Sequence, residues 1–419
     1  MASTTVSQSH EAEKNGQNGQ PTQNGQHAQN GQHAQNGQQA QNGQHAQNGH
    51  SKSKPWASEL NDPDMRKAVP QDVPSIIELK TSLPKHCFDA DLARSMFFVF
   101  KDLSIAFALY IGMLLVDYQP YFIVKALYTP FYWFMQGTIF WAIFVLGHDC
   151  GHGSFSKHPM VNDVMGTFLH VIIMVPYYPW KVSHKHHHRN TNNIDRDEVF
   201  YPIRAEDCKD GHDFRPFKPV FLGGISWLAY LMVGYYPRNV CHFNPFDAFF
   251  VNNFWGCASS VAVYGVWMWV VYGYYEIVGL YYLASHYVIP VMVFGTWLVM
   301  VTFLHHNEVL TPWYSDDQWD NVRGQLSSVD RNYSWAHELT HNIGTHQIHH
   351  LFSRIPHYHL EEAAAVFRQK YPHLVRQCDK PIISSFFRMF DVFEEQRHIG
   401  DDTKLFIYKP SMVTKEKEQ

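Results

Sequence analysis

Four long apolar runs mark the chain, at about 96–116, 121–147, 254–275 and 285–304. A helix needs roughly 20 apolar residues to cross a hydrocarbon core, so each run predicts a transmembrane helix. Lys101 and Asp102 interrupt the first, and Lys125 and Pro130 stand near the start of the second. Two further runs, 161–178 and 219–236, are borderline in length. Ahead of the first span, the pattern DVPSIIELKTSLP predicts a short amphipathic helix ended by Pro84.

The polar start of the chain behaves differently. Residues 1–55 are low in complexity, with a QNGQHA unit repeating from Gln23 to Ala46. Such a segment buries too little apolar surface to offset its ordering entropy and is expected to be disordered. Its histidines recur every six residues, a spacing that suits no helical face. They are read as solvated. The remainder divides into a membrane domain, 56–400, and a cytosolic tail, 401–419.

Histidine then changes the picture. His148 and His152 stand in HDCGH, His184, His187 and His188 in HKHHH, and His346, His349 and His350 in HQIHH. Spacings of i, i+3 and i+4 place imidazoles on one helical face, and His186 alone falls on the far side of its helix. Imidazole suits zinc, copper, iron and nickel. Eight imidazoles exceed the three or four ligands of one zinc, and suit two metal ions with open positions. Two irons activating O2 are the chemistry that most needs such a set. The HExxH pair of zinc peptidases is absent. His305 and His306 close the fourth span, and His306 is favoured as a ninth ligand. Asp149, Asp195, Asp197, Glu198, Asp330 and Glu338 are candidates to fix imidazole tautomers, and His341 is the scattered histidine expected nearest the site.

A shared site constrains topology. The three groups must lie on one side of the membrane, so 161–178 and 219–236 are read as interfacial or re-entrant. That leaves four crossings with both termini on the histidine side. Lys181, Lys185, Arg189 and the basic residues after His350 make that side the cytosol. Lys415 and Lys417 resemble a dilysine retrieval signal of the endoplasmic reticulum membrane.

Composition narrows the rest. Residues are 45% hydrophobic and 16% aromatic but only 17% charged, as membrane contact requires. The net charge of −5 comes without a basic tract, so no nucleic-acid partner is expected. Six scattered cysteines form no CxxC pair, which fits reduced thiols facing the cytosol. A metal transporter is a competing reading, but transporters carry ionisable ligands inside their spans, whereas these histidines gather at span ends.

With these three histidine boxes, residues 70–400 resemble the membrane fatty acyl desaturases. The stretches GHDCGHGSFS, SHKHHHRNTNNIDRDEVFYP, GQLSSVDR and NIGTHQIHHLFSRIPHYHL are similar to the methyl-end group, which holds the omega-3 and Δ12 enzymes. The resemblance implies an all-α membrane protein, with four transmembrane helices, interfacial helices and a cytosolic helical cap around a di-iron site. It implies the iron ligands His148, His152, His184, His187, His188, His306, His346, His349 and His350. It also implies desaturation of an unsaturated C18 or C20 acyl chain, carried on CoA or phospholipid, with O2 as co-substrate. An HDCGH first box and IGTH before the third lean toward omega-3. Δ12 desaturation, or hydroxylation or epoxidation on the same scaffold, is the alternative. No HPGG-like haem motif occurs, so the resemblance implies a separate cytochrome b5 and its NADH reductase.

Overall fold

A computed structural model describes residues 62–208 and 223–410. The repeat tail, the last residues of the basic C-terminus and the start of the 219–236 run lie outside the described residues. In chain order the helices are α1 (Pro63–Ala68), α2 (Ile76–Ser82), α3 (Leu92–Tyr118), α4 (Phe122–His152), α5 (Pro159–Val171), α6 (Tyr177–Arg189), α7 (Ile225–Val233), α8 (Phe254–Leu283), α9 (Ile289–His306), α10 (Asn321–Leu326), α11 (Ala336–Leu339), α12 (His346–Leu351), α13 (His357–Lys370) and α14 (Ile382–Gln396). Ser75 caps α2, accepting from the Glu78 amide at 3.2 Å. Asp91 caps α3 through the Ala93 and Arg94 amides.

By length and apolarity, three described helical runs can cross a membrane: Leu92–Tyr118, Phe122–His152 and the 59-residue Ala248–His306. The last contains both the third and fourth expected spans. It is not straight. Gly279 breaks it with φ 79° and ψ 172°, and a π turn, Ala284–Val288, leads into α9. Trp267 Nε1 donates to Tyr287 Oη at 2.8 Å, although 20 residues of straight helix would separate them by about 30 Å. The chain therefore doubles back at Gly279, a conformation open to glycine because it lacks a Cβ. The borderline runs become α5 and α7, 13 and 9 residues long, too short to span at about 1.5 Å per residue.

Large apolar side chains face outward along these helices, among them Phe100, Phe107, Leu115, Phe122, Trp269 and Ile277. So broad an apolar surface needs lipid rather than water against it. Inside, α4 packs on α9. A Cβ at Gly137 would sit 2.5 Å from Val293 Cβ and 2.7 Å from the Pro290 carbonyl oxygen, so the two backbones meet there. Ile139, Ile143 and Leu146 of α4 join Phe294, Val301 and Phe303 of α9 in the main core. Asp117, His286, Tyr274 and Tyr110 form a hydrogen-bonded chain at the end of the bundle away from His148 and His306.

A second apolar core, with Leu79, Leu83, Leu326, Ile348 and Phe367, joins α2, α10, α12 and α13 at the histidine end. The described part is not purely helical. Two- and three-residue strands staple this cap: Ile203–Arg204 pairs in parallel with His398–Ile399, Asp330–Arg331 with Gln377–Cys378, and Pro312–Tyr314 in antiparallel with Leu405–Ile407. The last pairing moves the expected 401 boundary. Residues up to Tyr408 are folded in, because Leu405, Ile407 and Tyr408 are buried.

Candidate metal centre

Three helix ends and one short helix bring the histidine groups together. His148 and His152 occupy the last turns of α4, which stops at Gly153 in the left-handed conformation, φ 73°. His184, His187 and His188 lie on α6, His306 ends α9, and His346, His349 and His350 lie on α12. Gly153, directly after HDCGH, thus stops the helix just beyond the two histidines.

The nine side chains fall into two neighbouring sets. His148, His152, His184, His188 and His349 form one, with candidate ligand atoms all within 4.8 Å of one another. His187, His306 and His350 form the other. His346 Nε2 joins it, 3.2 Å from His306 Nε2 and 2.9 Å from His350 Nε2. Across the first set, Nε2 atoms approach to 3.2 Å (His148–His152, His184–His188) and 3.3 Å (His188–His349). The rings of His188 and His350 stack at 4.1 Å where the sets meet.

Outer partners fix which nitrogen points inward. His187 Nδ1 donates to Asp197 Oδ1 at 2.7 Å. His350 Nδ1 lies 3.1 Å from both Gln325 Oε1 and Thr191 Oγ1. With Nδ1 donating, Nε2 carries a lone pair. His187 and His350 then aim lone pairs into a space already crowded with ring nitrogens. Burial, then the neighbouring imidazoles, push His184, His188, His346 and His350 well below the usual histidine range. They are neutral at cellular pH, the form in which imidazole binds metal. Convergent neutral lone pairs are an arrangement that cations relieve, and an all-nitrogen donor set suits iron among other transition metals.

His305 takes no part. Its Nδ1 donates to the Val329 carbonyl oxygen at 2.6 Å and its Nε2 meets Tyr333 Oη at 2.7 Å, while its ring stacks on His346 at 4.0 Å. His186 turns away and lies 3.6 Å from Glu198. Of the proposed acceptors, Asp197 hydrogen-bonds one of the nine, and Asp149 Oδ1 lies 3.8 Å from Nδ1 of His148. Asp149 accepts from the His357 amide and from its Nδ1, at 3.1 and 2.9 Å. Asp195 pairs with Arg204, and Asp330 takes the Gln347 amide at the start of α12. Glu198 is buried with both oxygens unpartnered. Burial first, then Asp197, raises its carboxyl well above the usual range.

His341 is displaced from its expected place. It meets Asp102 of α3 at 2.6 Å, and Lys101 lies 3.3 Å from the other oxygen of that buried carboxylate. His357 contacts Asp149 beside the first box instead. Gln325 and Thr191 had no histidine-like spacing to betray them. Gln325 nevertheless sits in GQLSSVDR, whose Asp330 caps the third box.

A cavity of about 750 Å³ opens from His184, His187 and His306. Trp141 and Phe144 of α4, Trp227 and Tyr230 of α7, and Leu298 and Thr302 of α9 form much of its wall. Size and apolarity suit a small-molecule or lipid ligand.

The fatty acid desaturase family model matches residues 126–380. An sn-1 acyl-lipid omega-3 desaturase (ferredoxin) of Nostoc sp. (strain 36) is 35% identical over 315 residues, 74% of this chain and 85% of that protein. An omega-3 fatty acid desaturase of the endoplasmic reticulum from Vigna radiata var. radiata is 34% identical over 345 residues, covering 80% and 88%. A temperature-sensitive sn-2 acyl-lipid omega-3 desaturase (ferredoxin), chloroplastic, of Arabidopsis thaliana is 34% identical over 358 residues, covering 81% and 78%.

Proposed function

The chain belongs to the fatty acid desaturase family, and from this we propose that it is a methyl-end omega-3 desaturase of acyl lipids. The observation that carries the reading is the pair of imidazole sets at the mouth of the apolar cavity. His148, His152, His184, His188 and His349 would hold one iron, and His187, His306, His346 and His350 the other. When bound, two irons supply the O2 activation needed to attack unactivated methylenes. In the net reaction two adjacent methylenes lose a hydrogen each, and O2, with two electrons and two protons from solution, ends as two waters.

The protein's own part is positioning. Asp197 holds the His187 ring, Gln325 and Thr191 hold His350, and the Asp330 cap fixes the start of α12. Trp141, Phe144 and Trp227 give the acyl chain a dry wall, which orients the reacting methylenes and keeps water from the oxidant.

Four membrane crossings, α3, α4 and the two arms of the run reversed at Gly279, would leave the histidines and the cap on the cytosolic side. Localisation in the endoplasmic reticulum is proposed from the Vigna relative's named compartment. Electrons would come from a separate cytochrome b5 and its NADH reductase. The Nostoc relative is named for ferredoxin instead, so reconstitution with each donor decides between them.

The functional test is expression in yeast fed linoleate and, separately, oleate, with products read by mass spectrometry. α-Linolenate from linoleate is expected. Linoleate formed only from oleate would make it a Δ12 enzyme, and a hydroxy or epoxy product would overturn desaturation.

A further inference from the structure

Away from the histidine centre, Cys87 is buried on a 3₁₀ turn, Lys85–Phe88, just ahead of α3. His86 is its neighbour in sequence. His359 and Glu362, one turn apart on α13, face the pair. One ligand atom from each of the four lies within 4.8 Å of the others. The desaturase chemistry uses none of them.

His86 Nε2 lies 2.7 Å from Glu362 Oε1 and 3.8 Å from Cys87 Sγ, and His359 Nδ1 is 3.5 Å from Glu362 Oε2. A tetrahedral zinc with bonds of about 2.0–2.3 Å holds its donors roughly 3.3–3.6 Å apart. The sulfur–nitrogen and His359–Glu362 separations are already close to that. The His86–Glu362 contact is a hydrogen bond, and the bridging proton occupies the place a cation would take. Both side chains are about half exposed, so they can part by the few tenths of an ångström required. Burial, with Glu362 beside it, pushes the Cys87 thiol up to about 11. The thiol therefore stays protonated until a cation displaces the proton.

We propose that His86, Cys87, His359 and Glu362 form a second metal site that takes one zinc ion. Two imidazoles, a thiolate and a carboxylate are a zinc-type donor set, and the two anionic donors balance the dication. The site would tie the segment before α3 to α13, which follows the helix bearing His346, His349 and His350. It would lock the cap without touching the oxidation chemistry.

The test uses the full chain purified in detergent, equilibrated with zinc and freed of excess. Zinc and iron are then counted by inductively coupled plasma mass spectrometry. About one zinc per chain is expected, lost in Cys87→Ser and His359→Ala while iron per chain is unchanged. Retained iron shows that a variant has folded. Should Cys87→Ser not fold, Glu362→Gln on the solvent side serves. It should weaken zinc binding by at least the roughly tenfold that even an outer partner contributes. Cobalt(II) added to zinc-free protein should give a thiolate-to-metal charge-transfer band that Cys87→Ser lacks, since the histidine centre contains no thiol. No zinc retained by the wild type, or zinc retained equally by folded His359→Ala and Glu362→Gln, overturns the proposal.

Discussion

Asp197→Asn isolates the positioning of one imidazole. The carboxylate is fully buried. Its Oδ1 accepts from His187 Nδ1 at 2.7 Å and from the Glu198 amide at 2.8 Å, and its Oδ2 accepts from the Asn192 amide at 3.1 Å. An amide has one acceptor oxygen, so in either orientation its NH2 group faces a donor. Leaving one buried donor unpaired costs about 1–3 kcal/mol. Outer partners of metal-bound histidines contribute about 10–100-fold in metal affinity or activity, or about 1.4–2.8 kcal/mol at 1.4 kcal/mol per tenfold. The two estimates agree. Iron per chain in purified protein and the linolenate-to-linoleate ratio in fed yeast should both fall within that range. Asp195→Asn, whose carboxylate pairs with Arg204 instead, should leave iron unchanged. Unchanged iron and product in Asp197→Asn would refute a positioning role for Asp197.

The two histidines at the end of α9 should separate cleanly. His306→Ala is expected to lose iron and reduce product to background, while His305→Gln keeps iron because His305 bonds only Val329 and Tyr333. Gly137→Ala should lower thermal stability in detergent by about 1–3 kcal/mol, since a Cβ there overlaps Val293 and Pro290. Asp102→Ala leaves a buried nitrogen of His341 unpaired and should cost about 1–3 kcal/mol by the same assay. Glu361 is held down to about 2 from 4.5, chiefly by His337, with Thr345 and Arg368 assisting. A depressed carboxyl stabilises the fold above its unfolded value of 4.5, and that contribution is lost as pH falls toward 2. Glu361→Gln should therefore flatten this acid limb of a pH–stability curve.

The helical spacing of the histidines was readable because i, i+3 and i+4 positions share a face whatever the tertiary fold. Nothing local told His305 from His306. Both rings lie against α12, but Val329 and Tyr333, from another part of the chain, occupy both nitrogens of His305, while His306 Nε2 lies among those of His187 and His346. A shared site reads 161–178 as interfacial, and α5 there is 13 residues long, too short to span. The break at Gly279 within the run Ala248–His306 was not legible, because glycine in an apolar run carries no mark of its φ. His341 departs from its expected place for a related reason. Lys101 and Asp102 looked like an interruption of the first span, yet Asp102 is the buried partner that draws His341 away. The short strands are invisible to periodicity, being two or three residues long and paired across long stretches of sequence.

The most direct measurement is Mössbauer spectroscopy on iron-57-enriched protein, with total iron counted in the same sample. Two irons per chain in two unequal nitrogen-rich environments, five imidazoles against four, are expected. His349→Ala should diminish the signal of the five-histidine set first. A single iron per chain, or full desaturation by protein containing none, would contradict a di-iron centre built from these nine histidines.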